Sequence, residues 1–296
     1  MVQRETFPGF LESEVERERA NKTAPLFQII PVPLEQTVSY GGGTARGPGA
    51  ILMASQQLER WDGFSEPLVA GIKTRPFVDC AGDIATIFAR LEEVVEAVLD
   101  ESGIPVVLGG EHTVSLAPIR VLQRSCLEPI GIVQLDAHAD LRDSFEGSPF
   151  SHACVMRRAI EECGCRLFQF GVRALCREEI AARLSYGVDH LDGRAIAATK
   201  LADFVLPADF PQNIYLTLDV DGLDPSVIGA TGTPVPGGPG WYQTLTFLER
   251  ALAGRKVLGF DLVELAPRKG DHASDFAAAQ LIYAVMGIIT RNMGIG

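Results

Sequence analysis

The chain shows no basic excess, no apolar run that reads as a membrane crossing, no stretch that reads as a secretory leader and no stretch that reads as a linker. Each absence closes off a class of function. Over 296 residues there are 26 Lys and Arg against 38 Asp and Glu, a formal charge of −12. A nucleic-acid binder needs a basic face to meet phosphates, so no such partner is expected. No uninterrupted apolar run approaches the ~20 residues that cross a bilayer. The N-terminus, Met1 to Ala20, is rich in Glu and Arg and lacks the apolar core of a signal peptide. A cytoplasmic protein with no membrane partner is therefore expected. No Ser/Gly-rich linker, repeat or low-complexity tract divides the chain. Residues 1–296 are thus expected to form a single domain, with 1–24 a charged N-terminal segment. The cysteines, Cys80, Cys126, Cys154, Cys163, Cys165 and Cys176, read as reduced thiols with packing roles. Cys163 and Cys165 stand too close for a zinc knuckle, while Cys154, two residues after His152, is expected to line a pocket. The acidity suits a cationic substrate through steering, or simply solubility.

Hydrophobic residues make up 47% of the sequence, ample for a large core. Runs without clean alternation predict strands at Leu26–Ile30, Ile104–Leu108, Ile130–Leu135, Leu167–Phe170, Ile214–Leu218 and Val257–Phe260. Such runs suit strands covered on both faces. Between them, Ile84 to Leu99 carries Ile87, Leu91, Val94, Val95 and Val98 at helical spacing. Ala277 to Ile289 is apolar almost throughout and reads as a buried or interface helix. Alternating strand and helix predicts an α/β fold with a mainly parallel sheet and helices on both faces. Ligands then bind beyond the carboxyl ends of the strands.

Three short stretches follow such runs: Gly109-Gly110-Glu111-His112, Asp136-Ala137-His138-Ala139-Asp140 and Asp219-Val220-Asp221-Gly222-Leu223-Asp224-Pro225. Asp224 and Pro225 read as a turn. The remaining donors are His112, Asp136, His138, Asp140, Asp219 and Asp221. On an extended strand, residues i and i+2 face the same way, so each stretch could aim its donors at one point. Four carboxylates in one cleft repel at neutral pH unless cations sit among them. Carboxylates with imidazoles and no thiolate suit Mn²⁺, Fe²⁺, Co²⁺ or Zn²⁺, and the oxygen-rich set leans toward Mn²⁺. Two divalent ions would cancel the charge, which predicts a two-metal hydrolase. Glu111 could support a histidine; His190 and His272 match no motif and read as surface residues.

The chain resembles the ureohydrolase family of arginases, agmatinases, guanidinobutyrases and formimidoylglutamases. The likeness runs from Tyr40-Gly41-Gly42-Gly43-Thr44-Ala45-Arg46-Gly47-Pro48 through the three stretches above to Ser151-His152, Gly232-Thr233-Pro234 and Glu264. It implies a three-layer α/β/α, arginase-like domain holding two Mn²⁺, with other divalent ions possible. One ion would take His112, Asp136, Asp140 and Asp219, and the other Asp136, His138, Asp219 and Asp221. Metals lower the pKa of water toward about 7, giving a nucleophile against an unreactive guanidinium carbon. The likeness casts Glu264 as the carboxylate that pairs with the guanidinium. His152 becomes the proton-shuttling group, and Asp140 a ligand that also steadies the attacking water. It also implies a homotrimer or homohexamer.

The metal motifs do not choose the substrate. Arginases carry an Asn-containing loop after Asp-x-His-x-Asp to grip an α-carboxylate, and here that stretch is Leu141-Arg142-Asp143-Ser144-Phe145-Glu146-Gly147. The run to Ser151-His152-Ala153-Cys154 resembles bacterial and archaeal agmatinases. The expected reaction is agmatine to putrescine and urea, with Asp143 or Glu146 attracting the distal ammonium. Arg142 could instead hold a carboxylate, as guanidinobutyrate, arginine or formimidoylglutamate would require. A non-catalytic guanidino-binding relative and a metal-dependent deacylase are the readings from other classes.

Overall fold

Along Asn213–Asp219 and Ile130–Leu135 every side chain is buried, odd and even alike. Strands of this kind lie between two helical layers. The structure is a computed structural model that describes residues 7–18 and 25–295. Half of the expected 1–24 segment, residues 1–6 and 19–24, lies outside the described residues. Eight parallel strands form one sheet: β1 Phe27–Val32, β2 Ile72–Thr74, β3 Ile104–Gly109, β4 Ile130–Leu135, β5 Arg166–Phe170, β6 Asp189–Leu191, β7 Asn213–Asp219 and β8 Lys256–Val263. Their order is β2-β1-β3-β8-β7-β4-β5-β6. The helices described are α1 Glu12–Glu18, α2 Gly47–Ser55, α3 Ile84–Asp100, α4 Leu116–Ser125, α5 Val155–Cys163, α6 Arg177–Tyr186, α7 Gly193–Ile196, α8 Trp241–Leu252 and α9 Ala273–Asn292.

The strand pleat divides the core in two. Ile29, Val106, Leu135, Leu216 and Leu262 face α2, α8 and α9. Ile30, Val107, Ile132, Tyr215 and Val263 face α3, α4 and α5. The result is a three-layer α/β/α domain. Helix α3 starts where the Asp83 side chain accepts the Thr86 N–H at 2.8 Å. It buries Ile87, Phe88, Leu91, Val95 and Val98, while Val94 lies at the edge of that stripe, half-buried.

The sequence missed β2 and β6. Each has three residues of mixed polarity at a sheet edge, too few to show a period. It also understated α9. This helix spans 20 residues and is long and apolar enough by length and hydropathy to cross a bilayer, which corrects the expectation that no segment is. Ser274, Gln280 and Thr290 break up the apolar run without lowering its mean much. Its most apolar window is 67% buried inside the protein, the behaviour of a core helix.

The sheet order places β3, β8, β7 and β4 side by side. In sequence these strands are far apart. In space their carboxyl ends form one row, and the expected motifs hang from that row.

Candidate metal centre

Each donor reaches the row by a local backbone device. After β3, a Cβ on Gly110 would lie 1.9 Å from the Leu34 carbonyl oxygen, so glycine alone permits this approach. The chain then enters a short 3-10 turn, His112–Ser115. Strand β4 stops at Leu135, so strand alternation does not aim the next residues. Asp140 instead turns inward through a left-handed backbone, φ 53°. Asp221 likewise sits on a 3-10 turn, Val220–Gly222, after β7. A Cβ on Gly222 would stand 2.6 Å from the Asp136 nitrogen, so that glycine lets the two loops touch. Glu264, after β8, also has positive φ, 64°. Two non-glycine residues held in this region at one site hold about 1–3 kcal/mol of strain each, the pattern of a functional constraint.

All six donors converge. His112 Nδ1 lies 2.9 Å from Asp140 Oδ2, 3.2 Å from Asp136 Oδ2 and 3.5 Å from Asp219 Oδ2. His138 Nδ1 lies 3.1 Å from Asp221 Oδ2 and 3.6 Å from Asp136 Oδ1. Two groups that could each hold a cation emerge, His112–Asp136–Asp219 and Asp136–His138–Asp221, with Asp136 in both.

The surroundings fix the histidine that is buried most deeply. Tyr215 Oη and Thr217 Oγ1 donate to the two oxygens of buried Asp261, at 2.6 and 2.7 Å. With its hydrogen spent there, Thr217 Oγ1 must accept from His112 Nε2 at 2.8 Å. Nδ1 is then the bare nitrogen. It is fully buried among carboxylate oxygens, yet makes no aligned hydrogen bond to any of them. A lone pair aimed between carboxylates rather than at a donor is what a cation would satisfy. Sequence reading missed Asp261, whose only signal is an acid inside an apolar strand.

Charge tells the same story. Burial pushes Asp140 up to about 7 and Glu264 to about 8, and Asp219 also rises well above the usual carboxylate range. Burial opposes a charge on His138, but the Asp136 and Asp221 carboxylates outweigh it and push the ring up to about 11. Asp136 and Asp140 likewise draw a proton to His112 against its burial, and with Nε2 already donating that proton takes on Nδ1 the place a cation would hold. The cluster is short of positive charge and takes it from protons where no cation supplies it. Oxygen and imidazole donors, one orphaned ring nitrogen and excess negative charge together fit a pair of divalent ions.

The cluster floors a cavity of about 470 Å³ that His152, Glu264, Gly232, Thr233, Tyr40 and Arg142 help to line. Glu264 Oε1 accepts the His112 N–H at 2.7 Å. Glu111 does support a histidine, but His152 rather than His112. It accepts the Gln36 and Thr37 N–H groups at 2.7 and 2.6 Å and the Thr37 hydroxyl at 3.1 Å. Thr37 Oγ1 in turn lies 3.1 Å from His152 Nδ1. Burial holds His152 below the ordinary imidazole value. Thr233, in the Pro/Gly-rich stretch after β7, donates to Asp221 Oδ2 at 3.0 Å.

Other expectations need correction. Cys154 is buried beside the Ser148 carbonyl and does not line the cavity. Asp143 and Glu146 do not line it either. Asp143 is held by Arg158 at 2.8 Å and Arg157 at 3.3 Å, cations that the sequence showed but could not assign a partner. Glu179, unnoticed in the sequence, does line the cavity, held by the Leu141 and Cys176 N–H groups at 3.3 and 2.8 Å. Arg142 lines it too, with its guanidinium 5.0 Å over the Phe145 ring. Asp224 turns its loop through Ser226 and Gly237, and His190 and His272 are exposed, as expected.

Comparison with known proteins agrees with this geometry. The arginase family model matches residues 26–287. An N(1)-aminopropylagmatine ureohydrolase of Synechocystis sp. is 38% identical, over 94% of this chain and 92% of its own length. An agmatinase of Pyrococcus horikoshii is 34% identical, over 89% and 92%. Among solved structures, the agmatine ureohydrolase of Thermoplasma volcanium superposes with a TM-score of 0.83 at 26% identity, covering 93% of this chain and 94% of that one.

Proposed function

The chain belongs to the arginase family and is a ureohydrolase, and from that premise we propose that it hydrolyses agmatine to putrescine and urea with two Mn²⁺ ions. The observation that carries this reading is the row of His112, Asp136, His138, Asp140, Asp219 and Asp221 beneath a cavity that Glu264 and His152 also line. His112, Asp136, Asp140 and Asp219 would hold one ion. Asp136, His138, Asp219 and Asp221 would hold the other. When bound, the ions supply water acidic enough to attack at neutral pH and cancel the carboxylate charge.

The remaining chemistry belongs to side chains. Glu264 has one oxygen committed to the His112 N–H, and its other oxygen is free to accept from the guanidinium and fix its plane above the cluster. Asp140 steadies the attacking water. With Nδ1 tied to Thr37, His152 keeps Nε2 for substrate and carries a proton to the departing amine. One water enters, the C–N bond to the alkyl chain breaks, and urea and an amine leave. Glu179, which lines the cavity where Asp143 and Glu146 do not, would supply the carboxylate for the distal ammonium. A cytoplasmic setting and assembly as a trimer or hexamer rest on the family likeness.

A second reading is a longer substrate, N(1)-aminopropylagmatine. It is favoured by the 38% identity to the Synechocystis enzyme named for that compound. The test is urea release from agmatine, N(1)-aminopropylagmatine, arginine and guanidinobutyrate, each with Mn²⁺. The highest kcat/KM is expected on agmatine. A preference for arginine or guanidinobutyrate would reject a cationic tail and return Arg142 to the role of carboxylate anchor.

A further inference from the structure

Two glutamines sit where an apolar sheet would be expected to bury leucine or valine. Gln134 on β4 and Gln169 on β5 are register partners, and both are fully buried. Burying a primary amide is unfavourable unless all its polar atoms are matched. Here they are matched in one direction only. The Arg183 Nε, which can only donate, gives its hydrogen to Gln169 Oε1 at 2.7 Å. The Gln169 amide nitrogen then donates to the Ala139 carbonyl and to Gln134 Oε1, both at 2.7 Å. That leaves the Gln134 amide nitrogen facing Asp136 Oδ2 at 2.7 Å and the His138 carbonyl at 3.5 Å. The far end is pinned by Asp192, which pairs with Arg183 at 3.1 and 3.0 Å.

Neither amide can be turned over. Reversing Gln169 would set its nitrogen against a guanidinium and its oxygen against a carbonyl. Reversing Gln134 would set its oxygen against a carboxylate and a second carbonyl. A pure donor at one end and carboxylate and carbonyl acceptors along the line fix the polarity.

The end point is specific. Asp136 uses its two oxygens on two sides. Oδ1 accepts the His138 N–H at 2.6 Å and faces the His138 ring. Oδ2 faces His112 Nδ1 at 3.2 Å. Of these two oxygens the chain of amides touches Oδ2, and on the His138 side it meets only backbone carbonyls, at His138 and Ala139. We propose that Arg183, Gln169 and Gln134 are positioning residues that orient Asp136 Oδ2 and so set the affinity of the cation site on the His112 side rather than of the one built on the His138 ring. The proposal rests on the reading of the cluster as a cation-pair site.

The test is Mn²⁺ binding to the metal-stripped full chain by titration calorimetry, with folding checked by circular dichroism. Gln134→Met keeps length and removes the donor. Gln169→Glu keeps the volume and the acceptor for Arg183 but turns Gln134 around, so it serves should the first variant fail to fold. Each should lose about 10–100-fold in affinity at one of two sites, the usual scale for a group supporting a metal ligand. In a His138→Ala background, where the His112 side remains, the loss should persist. In a His112→Ala background it should vanish. Equal losses in both backgrounds, or unchanged binding in folded variants, overturn the relay. A wild-type chain that takes up no Mn²⁺ instead defeats the cation-pair reading beneath it.

Discussion

Stripping the cations should make the folded protein less stable as pH rises. In the metal-free fold Asp140 holds its proton up to about 7 and Glu264 to about 8. The unfolded chain releases the same protons near pH 4. Between those values the folded chain binds more protons than the unfolded one, so stability falls with rising pH. His138, pushed up to about 11, acts in the same direction, since its contribution is complete below the ordinary imidazole value and fades above it. His152, held low by burial, opposes the trend near pH 6. Moving a carboxyl midpoint by roughly three pH units is worth about 4 kcal/mol at 1.4 kcal/mol per pH unit. For a chain of this size that is a fall in Tm on the order of 10 °C. The assay is thermal unfolding of the EDTA-treated protein from pH 5 to 9, beside the same protein with saturating Mn²⁺. The ions should take over from the protons, so the gain in Tm on adding Mn²⁺ should widen with pH. A stripped protein whose Tm rises over this range, or a metal effect independent of pH, would refute the electrostatic reading of the cluster.

Asp136 belongs to both candidate ion groups, so Asp136→Asn should weaken both ions and abolish urea release; two tightly held ions with normal turnover would show the ligand map to be wrong. His152→Ala should retain both ions and lose about 10²–10⁴ in kcat, the scale of a general acid–base group; unchanged turnover would leave His152 a structural residue. Thr37→Val removes the hydroxyl between Glu111 and the His152 ring and should lower kcat by up to about 10²-fold through misplacement, with Mn²⁺ affinity unaltered. In the core, Leu91→Ala on α3 should cost about 2–5 kcal/mol by denaturant titration, with no change in metal binding.

What was legible in the sequence is what periodicity and donor chemistry can carry. Six of the eight strands show as apolar runs because both their faces are covered. The six candidate ligands show because His and Asp crowd the ends of those runs. The route was read differently from what the structure has. Alternation along a strand was expected to align Asp136, His138 and Asp140, whereas the strand stops at Leu135 and a left-handed turn at Asp140 brings its carboxylate in. Such a turn leaves no periodic trace. The supporting groups were hidden for another reason. Asp261, Thr37 and Gln169 act through partners 14 to 115 positions away, and Gln134 and Glu179, each with one near partner, are fixed by others 35 and 38 positions off; no local pattern encodes a pairing of that range. The interchange of Asp143 and Glu179 has the same origin. Asp143 is nearer the motif in sequence, but Arg157 and Arg158 on α5 hold it outside the cavity.

The central claim is that strand ends remote in sequence enclose two cations. Diffraction from crystals grown with Mn²⁺, recorded near the manganese absorption edge, measures this directly. Two anomalous peaks are expected, one bonded to His112 Nδ1 and the other to His138 Nδ1, with Asp136 touching both. A single peak, or peaks away from these residues, would contradict it.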